Sequence, residues 1–176
     1  MRVGLDVDEV VAALHAVWLA DYNAAHGTDY QHFTHWDMAS TPEWYALLVP
    51  EIYDRVLPYP GAVEAVNQMR RLGHSIHYVT SSGKNNEHAV DKLRWLRRYG
   101  FLQPHEGWSN GHFIPGSDKT NAPVDVLIDD HIKNVESFNG WSILFNRPHN
   151  YNEKTTKLRV DSLWQFVGLL YEQRVA

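Results

Sequence analysis

Polar residues able to do chemistry stand at four places where short apolar runs begin or end. They are Asp6-Val7-Asp8, Thr80-Ser81-Ser82, Lys119 and Asp129-Asp130. Paired carboxylates can supply a nucleophile, a general acid and the oxygen ligands of a hard cation, while lysine and hydroxyl groups can hold an anion. A single carboxylate at a strand end is more often a helix cap. The four groups together indicate nucleophilic and acid-base chemistry on an anionic substrate.

The chain that must position these groups alternates between strand-like and helix-like segments. Short apolar runs predict strands at residues 2–7, 74–79, 112–114, 124–128 and 142–145. Apolar residues at helical spacing predict helices at 10–26, 60–72, 87–99 and 132–138, with a terminal helix after Asp161. Such alternation is typical of a doubly wound α/β domain with a mainly parallel, Rossmann-like sheet, in which ligands bind beyond the carboxyl ends of the strands. The polar groups should therefore meet at one edge of the sheet.

One segment interrupts this alternation. Residues 28–59 contain three prolines, which permit only short helices. The sequence thus predicts a small helical cap at 28–59, inserted after the first strand and helix of an α/β core formed by 1–27 and 60–176. Seven of these 32 residues are aromatic. They either form the cap's own core or offer a stacking surface for a flat ring, and Trp36 and Trp44 are the candidates for stacking.

Composition limits the class of protein. The 176 residues suffice for one domain with a small insert. A formal net charge of −5 argues against stable nucleic-acid binding, and no apolar run is long enough for a membrane span. Because cysteine is absent, any metal must bind carboxylate, imidazole or carbonyl groups. We expect a soluble, cytoplasmic protein, since a carboxylate follows Met1 too closely for a signal peptide.

The four polar groups resemble the motifs of the haloacid dehalogenase superfamily of phosphatases. The residues that match are Asp6-x-Asp8, Thr80, Lys119 and Asp129-Asp130. The pattern of the 5'(3')-deoxyribonucleotidases is similar over a longer stretch, in residues 60–66, in Val79-Thr80-Ser81 followed by Lys84, and in 118–120 ahead of 127–130. Two positions differ from this pattern. Glu9 stands where glycine is common, and His131 stands where a basic residue often follows the paired aspartates.

The resemblance implies catalytic roles for the first motif. Asp6 is expected to be the nucleophile and a metal ligand, forming an aspartyl phosphate. Asp8 is expected to protonate the leaving oxygen, to deprotonate the attacking water, and to offer its backbone carbonyl to the metal. The metal is expected to be Mg²⁺, because an anionic ester and an attacking carboxylate need a hard cation between them.

The other motifs are implied to bind metal and phosphate. Asp130 is expected to be the second carboxylate ligand, while Asp129 binds a water of the metal or orients Lys119. The residues expected to contact the phosphate are Thr80, Ser81, Lys84 and Lys119.

The expected function is hydrolysis of deoxyribonucleoside monophosphates by a Mg²⁺-dependent phosphomonoesterase. Three alternatives stay open: a phosphatase for nucleic-acid ends, one for a small sugar phosphate, and a catalytically silent nucleotide-binding module. A strand end would need an open groove with a basic lining, whereas a mononucleotide needs an enclosed pocket. The resemblance also leaves a homodimer open. The basic run 92–99 is expected to be a solvated helix face rather than a nucleic-acid patch.

Overall fold

Six parallel strands form the sheet of this protein. The computed structural model describes residues 1–35, 41–83 and 88–175. The strands are β1 (Arg2–Leu5), β2 (Ser75–Thr80), β3 (Phe113–Pro115), β4 (Val126–Asp129), β5 (Trp141–Phe145) and β6 (Leu158–Val160). Their order is β3-β2-β1-β4-β5-β6, and each neighbouring pair is parallel. The predicted doubly wound α/β fold is therefore confirmed.

Helices lie between several of these strands and after the last one. They are α1 (Leu14–His26), α2 (Pro42–Tyr45), α3 (Ala62–Arg71), α4 (Ala89–Arg98), α5 (Ile132–Ser137) and α6 (Leu163–Val175), with 3₁₀ turns at Pro50–Asp54 and Pro148–Asn150. Helix α3 packs against β2 and α6, and α5 packs against β4 and β5. Across the described ranges, no helix combines the length and apolar character that crossing a membrane requires.

Two elements differ from the sequence predictions. The first helix begins at Leu14 rather than at residue 10, because the chain turns after β1. In that turn the backbone amides of Val11 and Ala12 both donate to the carbonyl of Val7, at 3.0 and 2.8 Å. The strand β6 was not predicted, since it has only three residues and its first, Leu158, is exposed at the sheet edge.

The two ends of the segment from α1 to residue 59 lie side by side. Ala12 and Pro58 form an antiparallel bridge. The Ala13 amide donates to the Leu57 carbonyl at 3.0 Å, and the Tyr59 amide donates to the Val11 carbonyl at 2.9 Å. We call residues 11–15 and 57–59 the cap stem. It connects α1 and the aromatic insert to the loop that follows β1.

Helix α1 packs with the insert. The Trp18 ring lies 5.4 Å from that of Phe33 and 6.1 Å from that of Trp44, centroid to centroid. The Trp18 Nε1 also donates to the Trp44 carbonyl at 2.8 Å. The insert therefore shares its aromatic core with α1, and the limits 28–59 of a separate cap stay a prediction.

Candidate active site

The ends of β1 and β4 bring three charged side chains into contact. Asp6 directly follows β1, and Asp129 is the last residue of β4. Lys119, from the loop between β3 and β4, lies between them with its Nζ 3.0 Å from Asp6 Oδ1 and 2.6 Å from Asp129 Oδ2. The meeting of these motifs at the carboxyl edge of the sheet is as the sequence predicts.

Asp129 is surrounded by donors. It accepts a hydrogen bond from the His131 amide at 2.9 Å and from Asn134 Nδ2 at 3.1 Å, in addition to Lys119. Burial raises the pKa of Asp129 to about 7, against the opposing effect of the Lys119 ammonium. Burial by itself would lower the pKa of Lys119, but the Asp129 and Asp6 carboxylates outweigh it and raise that pKa. The contacts of Asp129 suit a residue that orients Lys119.

A metal ion fits the donor set at this edge. One carboxylate oxygen each of Asp6, Asp129 and Asp130 lies within 4.8 Å of the others, and all three residues are buried. The Asp130 carboxylate contacts His149, whose Nε2 lies 2.9 Å from Asp130 Oδ2. Oxygen donors from carboxylates alone suit a hard dication such as Mg²⁺. Its positive charge would also offset the repulsion among the three buried carboxylates.

The Asp8 carboxylate is held on both of its oxygens. Tyr53, from the 3₁₀ turn of the insert, donates its hydroxyl to Asp8 Oδ1 at 2.7 Å. Lys92 Nζ, from α4, lies 2.6 Å from Asp8 Oδ2. Burial and the Asp8 charge raise the pKa of Tyr53 well above its ordinary value, so Tyr53 keeps its proton and acts as the donor. Asp8 is thus positioned jointly by the core and by the insert.

Lys92 is a site residue that the sequence analysis missed. The prediction of a solvated basic face is wrong at this position, because only 3% of the Lys92 side chain is exposed. Its Nζ also donates to Thr80 Oγ1 at 3.0 Å and to the Ser81 carbonyl. The signal was present in the sequence, since Lys92 shares the buried face of α4 with Ala89, Trp95 and Leu96.

Two of the predicted phosphate-binding residues, Thr80 and Ser81, lie at the end of β2. Thr80 is fully buried as the last residue of that strand, and Ser81 lines the cavity above the carboxylates. Lys84 lies outside the described residues. Lys119 lines the same cavity as Ser81, so two of the four predicted residues face one space.

A cavity of about 770 Å³ opens over these groups. Its core side is polar and includes Asp6, Asp8, Ser81, Lys92 and Lys119, whereas α1 and the insert contribute apolar and aromatic residues, namely Leu14, Trp18, Pro42, Tyr45, Ala46, Leu48 and Tyr53. This volume falls in the range of small-molecule sites, about 300–1,000 Å³. The cavity can therefore hold a ligand that has an anionic end and a flat apolar end.

Of the histidines that line this cavity, His15 and His131 have lowered pKa values. Burial lowers the pKa of His15 to about 3, so this imidazole is neutral. Burial also lowers the pKa of His131, which stands at the position where the family pattern has a basic residue. An Arg or Lys there would carry a permanent charge, and His131 does not replace it.

The prediction that Trp44 offers a stacking face is corrected by the structure. Trp44 is only 4% exposed, and its ring stacks on Tyr22 with centroids 3.6 Å apart and an interplanar angle of 5°. A small insert needs large side chains to form its own core, and Trp44 belongs to that core. Trp36 lies outside the described residues. Tyr45, at 38% exposed, and the buried Trp18 both line the cavity.

Known proteins resemble this chain over nearly its whole length. The family model described as "5' nucleotidase, deoxy (Pyrimidine), cytosolic type C protein" matches residues 1–174. The 5'(3')-deoxyribonucleotidase of Bacillus subtilis is 26% identical over 157 residues, which cover 86% of this chain and 88% of that protein. A relative from Staphylococcus epidermidis is 31% identical over 168 residues and covers 86% of both chains.

Solved structures share the fold. A HAD family hydrolase from Deinococcus radiodurans, determined with bound phosphate and sodium, aligns with a TM-score of 0.63 at 14% identity over 97% of this chain and 95% of that one. A haloacid dehalogenase-like hydrolase from Streptococcus pneumoniae aligns with a TM-score of 0.60 at 5% identity over 96% and 97%. At such identities the likeness concerns the fold alone.

Proposed function

Since the chain belongs to the cytosolic type C 5' nucleotidase family of HAD-type phosphoric monoester hydrolases, we propose that it hydrolyses deoxyribonucleoside monophosphates with the help of Mg²⁺. The single observation that carries the proposal is the joint position of Asp6, Asp8 and Lys119 at the polar side of one cavity. A nucleophile, a general acid and a cation for phosphate thus face the same space.

The attack is assigned to Asp6. Its Oδ1 accepts hydrogen bonds from the Val7 amide at 2.7 Å and lies 3.0 Å from Lys119 Nζ, so this oxygen is held in place. Oδ2 is then the oxygen that bonds to phosphorus as the ester bond breaks, giving an aspartyl phosphate. The ammonium of Lys119 offsets negative charge that develops on the phosphoryl oxygens.

Asp8 carries the proton in both steps. In its protonated form it gives a proton to the leaving ester oxygen, and as a carboxylate it then takes one from the water that attacks the aspartyl phosphate. The contacts from Tyr53 and Lys92 fix the direction of this carboxyl group. Because Tyr53 belongs to the insert, the acid is fully positioned only when the insert lies over the core.

Asp6, Asp130 and the backbone carbonyl of Asp8 would hold the metal ion, with Asp129 orienting Lys119. A bound Mg²⁺ supplies positive charge between the anionic ester and the attacking carboxylate. We expect removal of divalent metal by a chelator to lower kcat by about 10³-fold or more, which corresponds to several kcal/mol of lost stabilisation. Phosphate release is measured before chelation, after it, and after Mg²⁺ is restored. Unchanged turnover in the chelated protein would contradict a role for the metal in catalysis.

The upper side of the cavity supports a nucleotide as substrate. Tyr45, which is 38% exposed, and the buried Trp18 line the space above the polar groups, and a base stacked on the exposed ring of Tyr45 would gain about 1–3 kcal/mol. Residues 42–53 of the insert cover this side, which favours a mononucleotide over the end of a long strand. The insert 28–59 together with α1 is proposed to act as the cap that selects the substrate.

Tyr45 and Trp44 make a matched pair for testing this selection. Tyr45 is 38% exposed and lines the cavity, whereas Trp44 is buried. Tyr45→Ala is expected to raise KM for a deoxynucleotide about tenfold, with little change in stability and with little effect on a small aryl phosphate. Trp44→Ala is expected to lower the free energy of unfolding by about 3–5 kcal/mol. Steady-state kinetics and denaturant unfolding measure both, and equal kinetic losses on the two substrates in Tyr45→Ala would argue against stacking.

A phosphate-release screen tests the proposed function. The substrates are deoxyribonucleotides, ribonucleotides, a sugar phosphate, a 5'-phosphorylated oligonucleotide and an aryl phosphate, each with Mg²⁺. The highest kcat/KM is expected for a deoxyribonucleoside monophosphate. Preference for the oligonucleotide or the sugar phosphate would instead support the corresponding alternative, and no release from any substrate would indicate a silent binding module.

A further inference from the structure

Glu9 is a buried carboxylate that the proposed reaction does not use. Only 3% of the residue is exposed, and it directly follows Asp8 in the turn after β1. Its φ of 57° lies in the left-handed region, which glycine adopts without cost and other residues adopt with strain. Retaining glutamate at such a position requires contacts of the side chain that compensate the strain.

Both oxygens of Glu9 bind the cap stem. Oε1 accepts a hydrogen bond from the His15 amide at 2.8 Å, and Oε2 accepts one from the Tyr59 hydroxyl at 2.5 Å. His15 lies on the segment that leaves the core, and Tyr59 lies on the segment that returns to it. One carboxylate therefore joins the two halves of the cap stem to the turn that carries Asp8.

The His15 contact also completes the start of α1. His15 is the second residue of this helix, so its amide has no carbonyl partner within the helix. The capping position is held by Ala13, whose side chain has no acceptor. The Glu9 side chain supplies the missing acceptor. Burial raises the pKa of Glu9, against the opposing effects of the hydrogen bonds from Tyr59 and His15 and of the Arg147 charge.

Arg147 connects Glu9 to the end of strand β5. It follows β5, and its Nε donates to the Glu9 carbonyl at 2.6 Å and lies 3.7 Å from Glu9 Oε2. The guanidinium is placed between two rings, 3.9 Å from the Tyr59 centroid and 4.3 Å from that of Phe145. The buried Glu9 side chain thus lies beside a cation that is itself held by the core.

We propose that Glu9 is a positioning residue that locks the cap stem to the catalytic turn, so that α1 and the insert sit in one orientation over the strand ends. Glu9 does not line the cavity, and it acts through the segments that do. The expected change in KM rests on the proposed function. The expected change in hydrogen exchange in the cap stem is independent of that function.

Glu9→Gly is the first test variant, because it removes the side-chain contacts and keeps a residue that suits the positive φ. Glycine relieves the left-handed strain, which offsets part of the stability lost with the contacts of the carboxylate, and a melting curve is recorded to show that the variant still folds. The His15 amide should exchange with deuterium about tenfold faster, because it loses its hydrogen-bond acceptor. KM for a deoxynucleotide should rise by a similar factor, with KM for a small aryl phosphate, which does not reach the cap, changed less than about threefold.

Tyr59→Phe is the second variant, since it removes one donor to Glu9 and keeps the ring that stacks on Arg147. It should reproduce part of the effect of Glu9→Gly, and the double variant should resemble Glu9→Gly alone. Unchanged exchange at His15 and unchanged KM in both single variants would overturn the proposal. If the parent protein releases no phosphate at all, the proposed function fails, while the exchange measurement still decides the role of Glu9.

Discussion

Asp6→Asn is expected to reduce phosphate release by about four orders of magnitude or more, since loss of an enzymic nucleophile has costs of this size. The amide is close in size to the carboxylate but is a poor nucleophile towards phosphorus. Lys119 keeps its 2.6 Å contact with Asp129 in this variant, so the fold should survive. The measurement is kcat for a deoxyribonucleoside monophosphate, together with a melting curve.

Deamidation of the new side chain would restore the parent residue, so intact mass must be checked in the same preparation. Asp125→Asn is a suitable control, because Asp125 is a partly exposed carboxylate that pairs with Arg2 at 2.7 Å away from the cavity lining. It should retain the parent rate. A substantial residual rate in Asp6→Asn, with deamidation excluded, would mean that another group attacks the phosphorus.

Asp8→Asn is expected to slow hydrolysis of an unactivated phosphate ester by about 10²–10⁴-fold, because the amide cannot donate or accept the proton. An aryl phosphate with a good leaving group needs less protonation, so its first step should lose less. The measurement is kcat/KM across a series of esters whose leaving groups differ in pKa. A steeper dependence on leaving-group pKa than in the parent protein is the expected sign of a lost general acid.

Lys92→Met provides the matched comparison for Asp8. It removes the ammonium 2.6 Å from Asp8 Oδ2 and keeps the apolar stem that α4 buries. The acid is then present but poorly held, so the rate should fall while the dependence on leaving-group pKa stays closer to that of the parent. The same steep dependence in both variants would mean that Lys92 and Asp8 deliver the proton as one unit.

The strands and the motifs at their ends could be predicted from the sequence, because buried parallel strands are continuous apolar runs. The edge strand β6 lacks such a run, since Arg159 lies between Leu158 and Val160. The start of α1 was placed too early because Val10 and Val11 continue its apolar spacing. Nothing in that spacing reveals that Glu9 turns the backbone to a φ of 57°.

The residues of the site that sequence reasoning missed are those whose contact with Asp8 depends on the tertiary structure. Lys92 and Tyr53 lie far from Asp8 along the chain, and each contacts one of its oxygens only after α4 and the insert pack on the core. The aromatic content of residues 28–59 suggested either a core or a stacking surface, but it could not distinguish the buried Trp44 from Tyr45 at the cavity. Composition reports how many rings a segment has, and packing decides which of them meet a ligand.

The most direct test is to ask whether phosphate becomes bonded to Asp6 during turnover. The protein is mixed with Mg²⁺ and a deoxyribonucleoside monophosphate labelled in its phosphate, quenched in acid on the millisecond timescale, and digested for mass spectrometry. We expect an acid-stable, hydroxylamine-sensitive label on the peptide that contains Asp6, absent from the Asp6→Asn variant and from a sample without Mg²⁺. Label on another residue, or turnover that proceeds with inversion of configuration at phosphorus, would contradict attack by Asp6.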